Sequence, residues 1–212
     1  DLGVAFDGDG DRVIMVDHSG RIIDGDELLY VIARQRWDAG GLTGGVVGTL
    51  MTNLGIEQAL DRLGVPFARA KVGDRYVMEE LVRRGWLIGG EGSGHIVCRD
   101  CTSTGDGIVS ALQVLVAMCR QERSLAELCQ GVTRLPQETV NVRVSQRFDP
   151  TQVPRIQEAV AQAEARLGDA GRILLRASGT EPVVRVMAEG EDAGLIGRIA
   201  NELAETVRRE AP

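Results

Sequence analysis

Apolar and polar positions along this chain switch repeatedly between two rhythms. Short apolar runs at 2–6, 13–16, 46–50, 66–70 and 86–89 read as strands, the first of them buried. Between and after them lie stretches with helical spacing at 54–63, 74–84 and 108–120. A further helix opens at Gly25-Asp26, with Asp24 or Asp26 as its cap and Leu28, Leu29, Ile32 and Ala33 on its buried face; Gly40-Gly41 ends it. Ser124 followed by Glu127 is a capping box for a short helix. Strand and helix in turn predict an α/β layer domain with a mostly parallel sheet.

The rhythm changes near Pro136, and a boundary is expected within 133–137. Beyond it the pattern predicts a strand at 139–144, a turn at 148–150, a helix at 154–167, strands at 172–176 and 183–189, and a helix at 192–209. That β-α-β-β-α order describes a small α+β domain. No internal repeat or low-complexity tract interrupts either half.

Composition narrows the function classes. The chain has 212 residues, 43% hydrophobic and 26% charged, which suits a soluble globular protein with one to two cores. A net charge of −7 argues against a nucleic-acid surface, so an anionic ligand must be held by local Arg and Lys. No apolar run reaches the length of a membrane span, and no basic-then-apolar leader opens the chain. A strand that begins at once and leads into an acidic loop reads as a piece of something longer. Cys98 and Cys101 form a C-x-x-C, but Cys119 and Cys129 add no second pair and neither histidine is spaced for zinc. Reduced thiols in a cytoplasmic protein are the expectation.

Four loops carry candidate chemistry. Asp7, Asp9 and Asp11 alternate with glycines between two predicted strands, so the turn aims three carboxylates at one centre. Like charges at that distance call for a cation, and all-oxygen ligation suits Mg²⁺. An EF-hand loop is rejected because Arg12 and His18 occupy the places of its glycine and glutamate. A solvated acidic turn is the competing reading; Arg12 beside the loop favours a phosphoryl partner. The second loop, 89–95, holds four glycines with Glu91, Ser93 and His95. It suits sugar hydroxyls and a proton carrier, against the alternative of a flexible connector. The third, 176–182, places Arg176, Ser178, Gly179 and Thr180 in a phosphate nest, with Arg185 on the same face of the next strand. Its alternative is a plain hairpin turn. The fourth, 71–75, puts Lys71 at the carboxyl end of a strand, where α/β sheets bind ligands, or simply at a solvated surface. Together the loops describe a site for a phosphorylated sugar.

At these residues the chain resembles the α-D-phosphohexomutase superfamily. DGDGDR at 7–12 is similar to its metal loop, GEGSGH at 90–95 to its sugar-binding loop, and RASGTEP at 176–182 to its phosphate-binding loop. KVGDRYV at 71–77, TGDGIVSALQVL at 104–115 and RASGTEPVVRVMAEG at 176–190 look closest to bacterial members acting on glucosamine phosphates. The resemblance implies the last two and a half of four domains: 1–24 as the end of the second, with the metal loop; 25–133 as a mixed-sheet α/β third domain, with the sugar loop; and 134–212 as an α+β fourth, with the phosphate loop. It implies Mg²⁺ on Asp7, Asp9 and Asp11, with Arg12, His95 and Lys71 near the reacting groups. Glu91 and Ser93 would hold hydroxyls, and Arg176, Ser178, Gly179, Thr180 and Arg185 the non-reacting phosphate. The implied activity interconverts glucosamine 6-phosphate and glucosamine 1-phosphate through a phosphoserine and a bisphosphate, on the way to UDP-N-acetylglucosamine and peptidoglycan. The phosphoserine lies in the family's first domain, and no serine here sits in a matching motif. The implied partners are a phosphorylated hexosamine and the missing N-terminal domains of the same protein, with a homodimer left open. Mannose or glucose phosphates as substrates, and a non-catalytic binding module, are the alternatives.

Overall fold

A computed structural model describes residues 1–179 and 181–212. They form two compact units, Asp1–Arg134 and Leu135–Pro212.

The first unit begins with three antiparallel strands in the order β1 (Gly3–Phe6), β2 (Val13–Val16), β3 (Ile22–Ile23). β2 alternates cleanly: Val13 and Met15 point into the core and Ile14 and Val16 lie half-buried. The expected burial of the first strand is not found. All four residues of β1 are exposed, with Val4 at 42% and Phe6 at 46%. It is an edge strand of its sheet, paired on one side only, with β2.

Helix α1 (Gly25–Asp38) is capped by Asp24, whose Oδ1 accepts the Glu27 N–H at 3.2 Å; Asp26 is not the cap. It is buried on every side from Gly25 to Ala33, so it is a core helix and not the one-faced helix its spacing suggested. Then follow β4 (Val46–Thr49), α2 (Leu54–Arg62), β5 (Phe67–Ala70), α3 (Asp74–Arg84), β6 (Ile88–Gly90), β7 (Ile96–Cys98), α4 (Gly107–Gln121) and α5 (Leu125–Cys129). The sheet runs β5-β4-β6-β7, parallel except for the last pair. Pro66 sits just before β5, where its missing N–H costs nothing and its carbonyl accepts the Val46 N–H at 2.9 Å. Alternation within the strands divides the core. Val46, Ile96 and Cys98 pack with α1, α2, α4 and β2, while Val47 and Val97 pack with Val77 and Leu81 of α3. The sheet is therefore sandwiched between helices. The three-residue β7 was not expected; it lies between the glycine loop and the C-x-x-C, which hide it as irregular chain. Burial pushes the thiols of Cys98 and Cys129 up to about 12, so both are neutral sulfhydryls.

The second unit contains β8 (Gln137–Arg143), α6 (Pro154–Leu167), β9 (Gly171–Ala177), β10 (Val183–Gly190) and α7 (Ala193–Glu210). Its antiparallel sheet has the order β8-β10-β9. Proline at the first turn of α6 and Asp192 at the cap of α7 mark where these helices start. One sheet face, with Val142, Val184, Val186 and Ala188, buries itself against Ile156 of α6 and Ile196, Ile199, Leu203 and Val207 of α7. Among the described residues, no helix of either unit is long and apolar enough to cross a membrane.

Ile199 is fully buried in this second core. Ile199→Ala should lower its stability by about 2–5 kcal/mol, whereas Ile22→Ala, at a 66%-exposed site, should change stability by less than about 0.5 kcal/mol. Urea titrations followed on amide signals of each unit check both values.

Candidate functional site

Two loops of the first unit are joined through their backbones. Arg12 and His95 form an isolated antiparallel bridge, and the Val13 N–H donates to the Gly94 carbonyl at 3.1 Å. The contact is possible because residue 94 is glycine. Its φ is +95°, and a Cβ there would lie 2.2 Å from the Val13 carbonyl oxygen. This junction places the acidic loop beside the glycine loop.

On the acidic side, Asp7, Asp9 and Asp11 each offer a carboxylate oxygen, all within 4.8 Å of one another. The Arg12 amide donates to Asp7 Oδ1 at 3.2 Å, and the Arg12 side chain is half-exposed with Nε 3.9 Å from Asp7 Oδ2. The carboxylates share their protons unequally. Partial desolvation works against ionisation of Asp7, but the Arg12 amide, hydrogen bonds with Asp11 and Asp9, and the Arg12 charge outweigh it and hold its pKa down. Desolvation, the Asp7 hydrogen bond and the charges of Asp7 and Asp9 raise that of Asp11, with His95 opposing them. Asp11 Oδ1 is buried with no hydrogen-bond partner. An orphaned carboxylate oxygen beside two further carboxylates fits a hard divalent cation, which would satisfy it and remove the repulsion.

On the glycine side, Glu91 Oε1 accepts the Gly73 N–H at 2.7 Å, and the Ser93 hydroxyl lies 3.5 Å from Glu91 Oε2. The 71–73 turn is thus tied to the glycine loop. Lys71 is exposed, with its Nζ 5.7 Å from the centre of the Tyr76 ring. His95 is only 4% exposed. Its Nε2 lies 3.6 Å from Asp11 Oδ2, and its Nδ1 is buried without a partner. The imidazole therefore faces the acidic loop and is not open to solvent. Asp7, Asp9, Asp11, Arg12, Glu91, Ser93 and His95 come together in this unit, and Lys71 borders it through Glu91.

In the second unit, Arg176 of β9 and Arg185 of β10 are direct cross-strand partners. Two guanidiniums at that spacing repel. Burial and the Arg185 charge lower the pKa of Arg176, whose Nε is buried with no partner among the described residues. An anion would relieve both deficits. The amide nest expected here is narrower than the residues suggested. The Ser178 N–H is spent on the Val183 carbonyl at 2.7 Å, and the Glu181 N–H goes to Ser178 Oγ at 3.3 Å. Gly179 is exposed, with open space where a side chain would be. Thr180 lies outside the described residues. Asn141 on β8 stands opposite Arg185 and extends this polar row; its place, in an alternating strand, was readable only once the register was known.

Models of the phosphoglucomutase/phosphomannomutase family match the chain twice: the alpha/beta/alpha domain III over residues 24–135 and the C-terminal domain over 140–206. The chain belongs to the phosphoglucomutase/phosphomannomutase family. Among curated relatives, it is 65% identical over its full length to the phosphoglucosamine mutase of Marinobacter nauticus, covering 47% of that protein. It is 59% identical to that of Methylococcus capsulatus, over 99% of this chain and 47% of the other. The chain thus spans about half the length of the curated relatives it matches. In structure it is similar to the Aspergillus fumigatus N-acetylphosphoglucosamine mutase in complex with GlcNAc-6P and magnesium, with a TM-score of 0.83 at 23% identity over 98% of this chain and 52% of that one. A Burkholderia thailandensis family protein gives 0.74 at 21%, over 98% and 46%. At such identity these structures speak for the fold.

Gly105 closes over the imidazole: a Cβ there would lie 2.1 Å from His95 Nε2. Gly105→Ala should displace the ring from Asp11 and cost about 1–3 kcal/mol. Thermal unfolding and the imidazole proton shifts of His95 read the two effects.

Proposed function

We propose that this chain is part of a phosphoglucosamine mutase, an isomerase that interconverts glucosamine 6-phosphate and glucosamine 1-phosphate. On this reading 1–24 closes the family's second domain, 25–133 is the third and 134–212 the fourth. The observation that carries the proposal is the junction of Arg12 with His95, which sets three carboxylates and the Glu91–Ser93 loop side by side in one unit. Identity of 56–65% to phosphoglucosamine mutases along almost the whole chain supports the choice of sugar. The solved relative crystallised with GlcNAc-6P and magnesium points the same way.

Asp7, Asp9 and Asp11 would hold Mg²⁺, which when bound supplies positive charge to a phosphoryl oxygen in transfer. Arg12, half-exposed beside the trio, would add a guanidinium to that charge. Glu91 has one carboxylate oxygen committed to the Gly73 amide; the other, with Ser93, would receive sugar hydroxyls. His95 hydrogen-bonds poorly and sits against Asp11, so its role would be to carry a proton or to steady that carboxylate. Lys71 would meet a phosphate or the acceptor oxygen. In the second unit Arg176 and Arg185, with Ser178, Gly179 and Thr180, would clasp the phosphate that does not react. The nucleophilic phosphoserine implied by the family resemblance has no matching motif among these 212 residues. The chain by itself would therefore bind a phosphosugar and not turn it over.

Glucosamine 6-phosphate added to the ¹⁵N-labelled chain should shift amides flanking Arg176 and Gly179, and Arg176→Ala should weaken binding at least about tenfold, the loss of roughly one charged hydrogen bond. Unchanged spectra with the wild-type chain would reject the phosphate site. Mg²⁺ should shift the amides of Gly10 and Arg12, and Asp9→Asn should abolish that response. Mutase assays should give no turnover from this chain alone, and, with the intact parent, faster turnover of glucosamine phosphate than of glucose or mannose phosphates.

A further inference from the structure

Asp26 is a buried carboxylate outside the roles assigned above. It lies in the first turn of α1 and is 3% exposed. Its Oδ2 accepts the Asn53 N–H at 2.9 Å, fixing the turn that caps α2. Its Oδ1 is buried with no hydrogen bond to it among the described residues. Directly over the carboxyl group lies Gly92: a Cβ on that glycine would stand 3.4 Å from Cγ, Oδ1 and Oδ2 alike. The preceding residue completes the seat. The Gly25 N–H donates to the Gly92 carbonyl at 3.1 Å, and a side chain at 25 would run into the Glu91 carbonyl oxygen. Gly25 and Asp26 are thus the floor on which the 91–94 loop rests.

We propose that Asp26 is a positioning residue: its carboxyl group sets the height of the 91–94 loop against the 52–53 turn, and the loop shifts when the group gains or loses its proton. A carboxylate there keeps a charge under the loop backbone with one oxygen unsatisfied; a carboxylic acid removes that charge and turns the orphaned oxygen into a donor. Burial pushes the Asp26 pKa up to about 6, with Asp24 adding to it; the Asn53 amide, the Arg134 charge and the Thr52 hydroxyl pull the other way. The charged groups around it are Asp24 and Glu27 on its own helix, Arg134, which pairs with Asp24, and Glu91 in the loop, with His95 at the loop's end. Because the folded value lies above the ordinary 3.8, the native state holds the proton more tightly. This contribution to stability is complete below about pH 4 and is lost as the pH rises through about 6. If the loop receives sugar hydroxyls, as proposed above, phosphosugar affinity follows the same proton.

The test uses the ¹³C,¹⁵N-labelled 212-residue chain without ligand. From pH 4.5 to 7.5 the Asp26 side-chain carbon and the amides of Gly92 and Asn53 should move with one shared midpoint. Asp26→Asn keeps the acceptor for Asn53 and carries a donor in place of the acid proton, so it should flatten the Gly92 curve and hold the loop in its low-pH position. A Gly92 curve that survives Asp26→Asn belongs to another group and overturns the proposal, as does an Asp26 titration that leaves Gly92 unmoved. If Asp26→Asn does not fold, the coincidence of midpoints in the wild-type chain decides alone. With glucosamine 6-phosphate present, the ratio of wild-type to Asp26→Asn affinity should change at least threefold between pH 5 and 7.5; taking the ratio cancels titration of the sugar phosphate itself. A shared midpoint with no sugar binding at any pH would uphold Asp26 and sink the phosphosugar reading.

Discussion

The site of the first unit depends on a backbone contact that carries no chemistry of its own. The Val13 N–H reaches the Gly94 carbonyl, and Arg12 pairs with His95, because residue 94 has no side chain to hold the strands apart. Neither partner loop has an apolar core to fix it. The acidic loop is exposed and self-repelling, and the glycine loop has few side chains to pack. Each borrows rigidity from elements that do have cores: β2 is anchored by Val13 and Met15, and β7 by Ile96, Val97 and Cys98. Rigid strands then hold the candidate residues that flank their ends, as ligand-bearing loops of α/β sheets generally require.

Both units store electrostatic discomfort where the candidate ligands would go. In the first, three carboxylates crowd a centre and leave Asp11 Oδ1 without a partner. In the second, Arg176 faces Arg185 across the sheet with a buried Nε unsatisfied. Elsewhere the chain resolves such charges, as when Arg69 pairs with Glu57 at 2.6 Å or Arg172 with Glu189 at 2.7 Å. Among the described residues, the crowding at 7–11 is of carboxylates and that between Arg176 and Arg185 is of guanidiniums. Unsatisfied charge of that kind is what a divalent cation on one side and a phosphate on the other would stabilise.

Much of this was legible in the residues. Helix starts were readable because polar caps announce them: Asp24, Ser124 and Asp192 each accept the expected amide. Helices 74–84 and 154–167 were read to the residue. What was not legible depends on neighbours far along the chain. The apolar run of β1 promised burial, but an edge position gave exposure. The apolar stripe of α1 understated a helix surrounded by α2, α4, α5 and β6. The amides of Ser178 and Glu181 look available in the sequence, which does not say that they are spent on Val183 and Ser178 itself. Most instructively, Asp26 reads locally as an acid favoured at a helix start. Only the fold places Gly92 on it.

Asp26 also explains why the pair Gly25-Asp26 stands where the chain passes from the antiparallel strands into the α/β layers. The floor must be narrow, since a larger residue at 25 would strike the Glu91 carbonyl, and it must be polar, since the Asn53 amide needs an acceptor. A hydrophobic residue at 26 would satisfy the core but orphan that amide, at a cost of about 1–3 kcal/mol. An amide side chain would satisfy both. That a carboxyl group is present, with its ionised form disfavoured by burial, is therefore more than packing demands. It is the feature by which the proposed proton switch would reach the 91–94 loop, through the carboxyl group on which Gly92 rests.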